Sequence, residues 1–177
     1  MILQASDNFF SGFSLNKEEK LFDEYRIKND FTVCGFSYGA QKAFEYTLHS
    51  KVRIDKLQLF SPAFFQIKDK KYKRMQLMFF KKDSTAYCSN FLENCVKPSQ
   101  IDISCYFKIG TYEQLEELLC YEWDRKKLSE LKNRGVDIEI YLGQEDEIID
   151  SLAAKEFFKE FATVYYIKNA GHILNNE

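Results

Sequence analysis

Five consecutive residues, Gly35-Phe36-Ser37-Tyr38-Gly39, carry the strongest chemical signal in the chain. They fit G-x-S-x-G, the pattern of a nucleophile elbow, in which a serine sits on a sharp turn from a strand into a helix. Such a turn is too tight for neighbouring Cβ atoms, which is why glycine flanks the serine on both sides. It would lift Ser37 Oγ to the tip of the strand, where a base can reach it. So short a pattern also arises by chance, so its flanks must agree with it. They do: Phe31-Thr-Val-Cys34 is β-prone, and Tyr38 to His49 places Ala40, Ala43, Phe44 and Leu48 on one helical side.

A serine alcohol is a weak nucleophile and needs a base. The chain has two histidines. His49 would lie near the end of the helix after the elbow, ~18 Å along it from Ser37, where a solvent-facing histidine is ordinary. His172, in Asn169-Ala-Gly171-His172, follows the last β-prone run. That position puts it in a loop at the carboxyl edge of a parallel sheet, the edge where Ser37 also lies. A third group must hold the imidazole tautomer and stabilise the imidazolium. The loop Gly143-Gln-Glu-Asp146-Glu-Ile-Ile-Asp150 offers four carboxylates. Asp146 is the preferred acid, with Glu145, Glu147 and Asp150 left as alternatives.

These residues need elements to place them. Asn16 to Lys28 reads as a helix, with Asn16 and Glu19 forming a capping box. Phe31–Cys34, Tyr38–His49 and Lys56–Phe60 read as strand, helix and strand, a βαβ unit with a parallel pair. From about 64 to 128 the rhythm breaks into a mostly helical stretch, within which Thr111 and Gln114 form another capping box. Arg125 to Arg134 reads as a helix ended by Gly135, a C-terminal cap. Val136–Leu142, Ser151–Phe161 and Thr163–Ile167 then read as strand, helix and strand. The fold class expected is α/β: a mostly parallel central sheet with helices on both faces, one domain over 1–177, and residues 64–128 as a small helical cap insertion.

The chain order Ser, Asp, His is that of the α/β-hydrolases, and three further segments resemble that family. Gly143-x-x-Asp146 with Ile148-Ile149 resembles its acid loop, Ala170-Gly171-His172 its histidine loop, and Leu59-Phe60-Ser61-Pro62-Ala63 the strand end after the nucleophile helix. The short chain, with Phe10-Ser-Gly-Phe13 and Cys34-Gly-Phe-Ser-Tyr-Gly-Ala40, most resembles the small bacterial pimeloyl-ACP methyl ester carboxylesterases of biotin synthesis. The resemblance implies catalytic residues Ser37, Asp146 and His172. It also implies an oxyanion hole made by the main-chain amides of Phe13 and Tyr38. Ser11 stands where the family usually has histidine, but the donors are main-chain. The function so implied is hydrolysis of the pimeloyl-ACP methyl ester to pimeloyl-ACP and methanol. An acyl thioesterase, a general or lipid esterase with the same triad, and an inactive hydrolase-fold binding protein are the alternatives.

Composition narrows the remaining classes. Hydrophobic residues at 45% and charged residues at 29% are the balance of a soluble globular protein, and scarce Gly and Pro argue against linker-rich or disordered classes. A net charge of −2 gives no sign of nucleic-acid binding. No apolar run approaches ~18 residues, so no stable membrane insertion is expected. The N-terminus lacks the features of a secretory signal. Five cysteines without a C-x-x-C spacing read as reduced thiols in cytoplasm. With two histidines a zinc site has few ligands to draw on, and neither a metal nor another cofactor is expected.

One stretch departs from the acidic average. Lys68, Lys70, Lys71, Lys73, Arg74, Lys81 and Lys82 against Asp69 leave residues 68–82 at +6, while the rest of the chain stands at −8. Tyr72, Met75, Met78 and Phe79 could form an apolar face beside that basic one. The stretch reads as a solvated lysine face, as a membrane-surface helix, or, as the family resemblance implies, as a docking site for an acidic acyl carrier protein through Lys70, Lys71, Lys73 and Arg74. The methionines and aromatics beneath could line an acyl channel or simply form core.

Overall fold

Among the described residues, five short strands line up in sequence order, and every adjacent pair is parallel. The computed structural model describes residues 8–175. The reading of the N-terminus falls largely on residues 1–7, outside the described residues. The strands are β1 (Phe9–Phe10), β2 (Thr32–Phe36), β3 (Lys56–Phe60), β4 (Asp137–Gly143) and β5 (Thr163–Ile167), ordered β1-β2-β3-β4-β5. Val33, Leu57 and Ile138 stand side by side in register, as do Gly35, Leu59 and Ile140. Side chains alternate between the two faces of a strand. One face therefore collects Val33, Leu57, Leu59, Ile138, Ile140 and Leu142 in one core. The other carries Cys34, Phe36, Phe60 and Tyr141 in a second.

Helices cover the first face. They are α1 (Tyr38–His49), α5 (Arg125–Asn133) and α6 (Ser151–Phe158). Ala40 and Phe44, Leu128 and Leu131, and Ala154 and Phe158 put apolar groups three or four residues apart, so each helix buries one stripe. Burying one such leucine or phenylalanine is worth about 1.5–3 kcal/mol. On the second face lie Phe22, Leu92 and Cys95, followed by Ile173 and Leu174 near the chain end.

Between β3 and β4 run α2 (Lys70–Lys82), α3 (Ser84–Val96) and α4 (Tyr112–Cys120), before α5 returns the chain to the sheet. Aspartates cap three of these four helices, since a short carboxylate reaches the unpaired amides of a first turn. Asp69 starts α2, and Asp124 starts α5. Asp83 both ends α2 and caps α3, so the two helices meet at one residue. Thr111 and Gln114 form the expected capping box of α4. Gly135, at φ +84°, closes α5 as the sequence predicts. Among the described residues no helix is long and apolar enough to cross a membrane.

The expected helix over 16–28 shrinks to a single 3-10 turn, Glu19–Phe22. Asn16 does not cap it. The Asn16 amide donates to Tyr106 O at 2.9 Å, and Lys17 takes φ 59°, which a continuing helix excludes. Phe22 nevertheless packs as an anchor, stacked on Phe60 with ring centroids 4.7 Å apart. Three ends also shift. The strand expected at 31–34 runs on through Gly35 to Phe36, the one after Gly135 continues to Gly143, and α6 stops at Phe158 rather than Phe161. The edge strand Phe9–Phe10 carried no sequence signal of its own; it forms by pairing with Cys34 and Gly35.

Candidate active site

Ser37 stands between the end of β2 and the first turn of α1. Its backbone takes φ 53° and ψ −114°, a conformation rare for a residue with a Cβ. Three main-chain bonds hold it there. The Ser37 amide donates to Phe60 O at 2.9 Å, and Ser37 O accepts from the Ala40 and Ala63 amides, each at 3.1 Å. The glycine flanks are required by space. A Cβ on Gly35 would come within 2.4 Å of Gly39 O, and one on Gly39 within 2.0 Å of Phe10 O. The elbow is thus clamped between β1, β3 and its own helix.

His172 reaches Ser37 from 135 residues away. Its Nε2 lies 2.9 Å from Ser37 Oγ, and its Nδ1 lies 2.7 Å from Asp146 Oδ2. Both the His172 and Asp146 side chains are fully buried. An ionised carboxylate only accepts hydrogen bonds, so Nδ1 carries the proton and Nε2 is left to accept from the serine. The other carboxylate oxygen of Asp146 accepts the amides of Ile148 and Ile149 at 2.7 and 3.0 Å. These fix the carboxylate in place. The rings of Phe36 and Phe91 flank the imidazole, with centroids 5.0 and 6.4 Å away.

The other three carboxylates of the acid loop lie elsewhere. Glu145 is exposed, Glu147 faces Lys97 at 3.4 Å, and Asp150 caps α6. His49 is also away from the site, an exposed residue bonded through Nδ1 to Glu45 O at 2.8 Å. The Tyr38 side chain is drawn outward by Glu117, whose Oε2 accepts its hydroxyl at 2.7 Å. The Tyr38 amide heads α1, so no turn of that helix precedes it to accept its proton. Phe13 is buried against Phe80 and Phe91, and its amide has no acceptor among the described residues.

Two contacts at the site had no sequence signal. Ser61, at φ 41°, donates its hydroxyl to His172 O at 2.6 Å and so ties the end of β3 to the histidine loop. Phe91 touches both His172 and Phe13 and also lines a cavity of about 490 Å³ between α2, α3 and α4. Tyr72, Gln76 and Phe79 of α2 line that cavity, but Met75 and Met78 do not. Those two methionines face outward, 42% and 61% exposed. Lys70, Lys71 and Arg74 are exposed, Lys73 is half-buried, and none of the four has an ion-pair partner among the described residues.

No protein-family model matches the chain, and no curated protein matches its sequence. Solved structures do. An esterase from Exiguobacterium antarcticum superposes with a TM-score of 0.62 at 20% identity, over 80% of this chain and 59% of its own. A bromoperoxidase from Bacillus anthracis gives 0.63 at 15% identity, over 89% of this chain and 65% of its own. The naproxen esterase of Bacillus subtilis gives 0.55 at 19% identity, over 82% of this chain. The chain spans 59% and 54% of the lengths of these two esterases. Likeness at such identities speaks for the fold, and the fold is that of the α/β-hydrolases, with a serine, a histidine and an aspartate joined at the carboxyl end of its sheet.

Proposed function

We propose that this protein is a serine carboxylesterase. The observation that carries the reading is the unbroken line Ser37 Oγ–His172–Asp146, with both links within hydrogen-bond distance and the acid and base sealed from water. His172 Nε2 takes the Ser37 proton as Oγ attacks the ester carbonyl. The amides of Phe13 and Tyr38 receive the oxyanion. The tetrahedral adduct collapses, His172 returns the proton to the departing alkoxide, and the alcohol leaves an acyl-enzyme. Water, deprotonated by His172, then attacks that ester and releases the acid and Ser37.

The substrate we infer is the methyl ester of a pimeloyl group carried on an acyl carrier protein, with methanol as the alcohol. This finer reading rests on the likeness of the Phe10–Phe13 and Cys34–Ala40 segments. It is supported by the α2 cations, which have no ion-pair partner among the described residues, and by the cavity of about 490 Å³ beside Phe91. An acidic carrier would dock on Lys70, Lys71, Lys73 and Arg74, and its acyl arm would enter beside α2. Turnover of synthetic pimeloyl-ACP methyl ester, set against short p-nitrophenyl esters, tests it. A kcat/KM no higher on the carrier-linked ester would remove the carrier and leave a general esterase.

A further inference from the structure

Glu18 is a buried acid that the triad does not use. Its side chain has no exposure to solvent, Oε1 accepts the Gly12 amide at 2.6 Å, and Oε2 is buried without a hydrogen-bond partner among the described residues. Burial pushes the carboxyl above its usual range, against the lowering effect of the Gly12 and Glu18 amides and the Ser11 hydroxyl. A carboxyl in this state costs stability, and an apolar residue of the same size would cost less.

Its one strong contact falls on the residue that precedes Phe13. Gly12 has no Cβ to restrict its torsions, so its two flanking peptide planes turn freely unless something holds them. Glu18 holds the plane before it through the Gly12 N–H. The Leu15 amide holds the plane after it, donating to Gly12 O at 3.3 Å. That second plane also contains the Phe13 N–H, which points opposite to Gly12 O. The rest of the loop is already tied down, with Ser14 O accepting from the Lys108 amide at 3.0 Å and Asn16 donating to Tyr106 O. Among the described residues, only Glu18 accepts the Gly12 amide.

We propose that Glu18 is a positioning residue for the oxyanion hole: by holding the Gly12 amide it sets the torsions that aim the Phe13 amide at the reacting oxygen. The proposal rests on the esterase reading. Glu18 itself touches no reacting atom. An oxyanion contact exists only in the transition state, so a misaimed amide lowers kcat and leaves KM unchanged.

The test compares Glu18→Gln, Glu18→Asp and Glu18→Leu in the full chain. Turnover of p-nitrophenyl acetate is expressed per Ser37 titrated with a fluorophosphonate, so unfolded molecules do not count. Removing an oxyanion donor costs ~10²–10³-fold in kcat, and a loosened one should cost part of that. Glu18→Leu, with no acceptor, and Glu18→Asp, one methylene short, should lose about ten- to a hundredfold in kcat with KM within about twofold. Glu18→Gln keeps both length and an acceptor and should retain at least about a third of kcat. If Glu18→Leu fails to fold, the Gln and Asp pair decides. The proposal is overturned if Glu18→Leu or Glu18→Asp stays within about threefold of the parent kcat, or if Glu18→Gln falls as far as Glu18→Asp. A parent protein that neither turns over the ester nor labels at Ser37 refutes the esterase reading itself, and the positioning role with it.

Discussion

The carboxyl end of the sheet and the outer face of α2 are built on opposite terms. At the sheet end the Asp146 and His172 side chains are sealed from solvent, Ser37 is buried beside them, and His172 is bonded to both. Their placement is set by main-chain bonds from β1, β3 and the acid loop. On α2, Met75 is 42% and Met78 61% exposed, among cations that have no ion-pair partner among the described residues. A buried network acts through fixed distances in a low dielectric, so displacing one member disables the rest. An exposed basic face acts through its summed field, in which no one charge is essential and salt weakens all of them. The two regions should therefore respond differently to substitution.

The largest effect is expected at the elbow. Ser37→Ala removes the covalent route and should lower esterase kcat by about four to six orders of magnitude, read by steady-state kinetics on p-nitrophenyl acetate. Near-normal activity in this variant would place the reaction elsewhere. Asp146→Asn should cost about 10³–10⁴-fold in kcat by favouring the wrong imidazole tautomer. Glu147→Gln, which loses an exposed ion pair with Lys97 and lies outside the Ser37–His172–Asp146 line, should change kcat on p-nitrophenyl acetate by less than about twofold, because exposed ion pairs contribute little. A reversal of that order would move the triad acid to Glu147.

At α2 the expected effect is smaller and depends on substrate. Replacing Lys70, Lys71, Lys73 and Arg74 with Glu should lower kcat/KM on a carrier-linked ester by about one to three decades at low salt. Much of the difference should vanish at 0.15 M salt, where the Debye length is ~8 Å. Turnover of a p-nitrophenyl ester should not change. Equal losses on both substrates would show damage to the fold, and no loss on either would return α2 to a solvated lysine face.

The smallest contrast is in stability. Ser61→Ala strands the buried His172 carbonyl and should cost about 1–3 kcal/mol, which lowers Tm by about 2–4 °C per kcal/mol in a chain of this size. Met78→Ser, on the open face of α2, should stay within about 0.5 kcal/mol. Thermal melting of the two variants side by side measures the difference.

Much of this layout was legible from short-range pattern. α1 and β3 begin and end where spacing and the neighbouring turn residues place them. Thr111 with Gln114 and Gly135 mark their helix ends, because a cap is a contact over three or four residues that the chain itself carries. The elbow could be read for the same reason: its glycines answer to a turn only five residues long. The 16–28 segment misled because the same local logic was outvoted from a distance. Tyr106 takes the amide of the intended cap, and Glu18, two residues on, turns inward to Gly12.

The residue types of a serine, an acid and a histidine, their order, and the strands and helices that carry them were determined by the sequence alone, since each is a local or periodic property. Which of four carboxylates meets the imidazole was decided only in three dimensions. Asp146 and His172 lie 26 residues apart, and the choice among the four depends on the Ile148 and Ile149 amides turning one side chain inward while its neighbours remain in water. The same holds for Glu18, whose burial beside Gly12 has no periodic signature, and for Met75 and Met78, whose apolar character suggested a channel lining. The packing of α2 against α3 and α4 turns Phe80 inward and leaves both methionines facing solvent. Side-chain direction on a helix follows from what the helix packs against, and that partner is a tertiary fact.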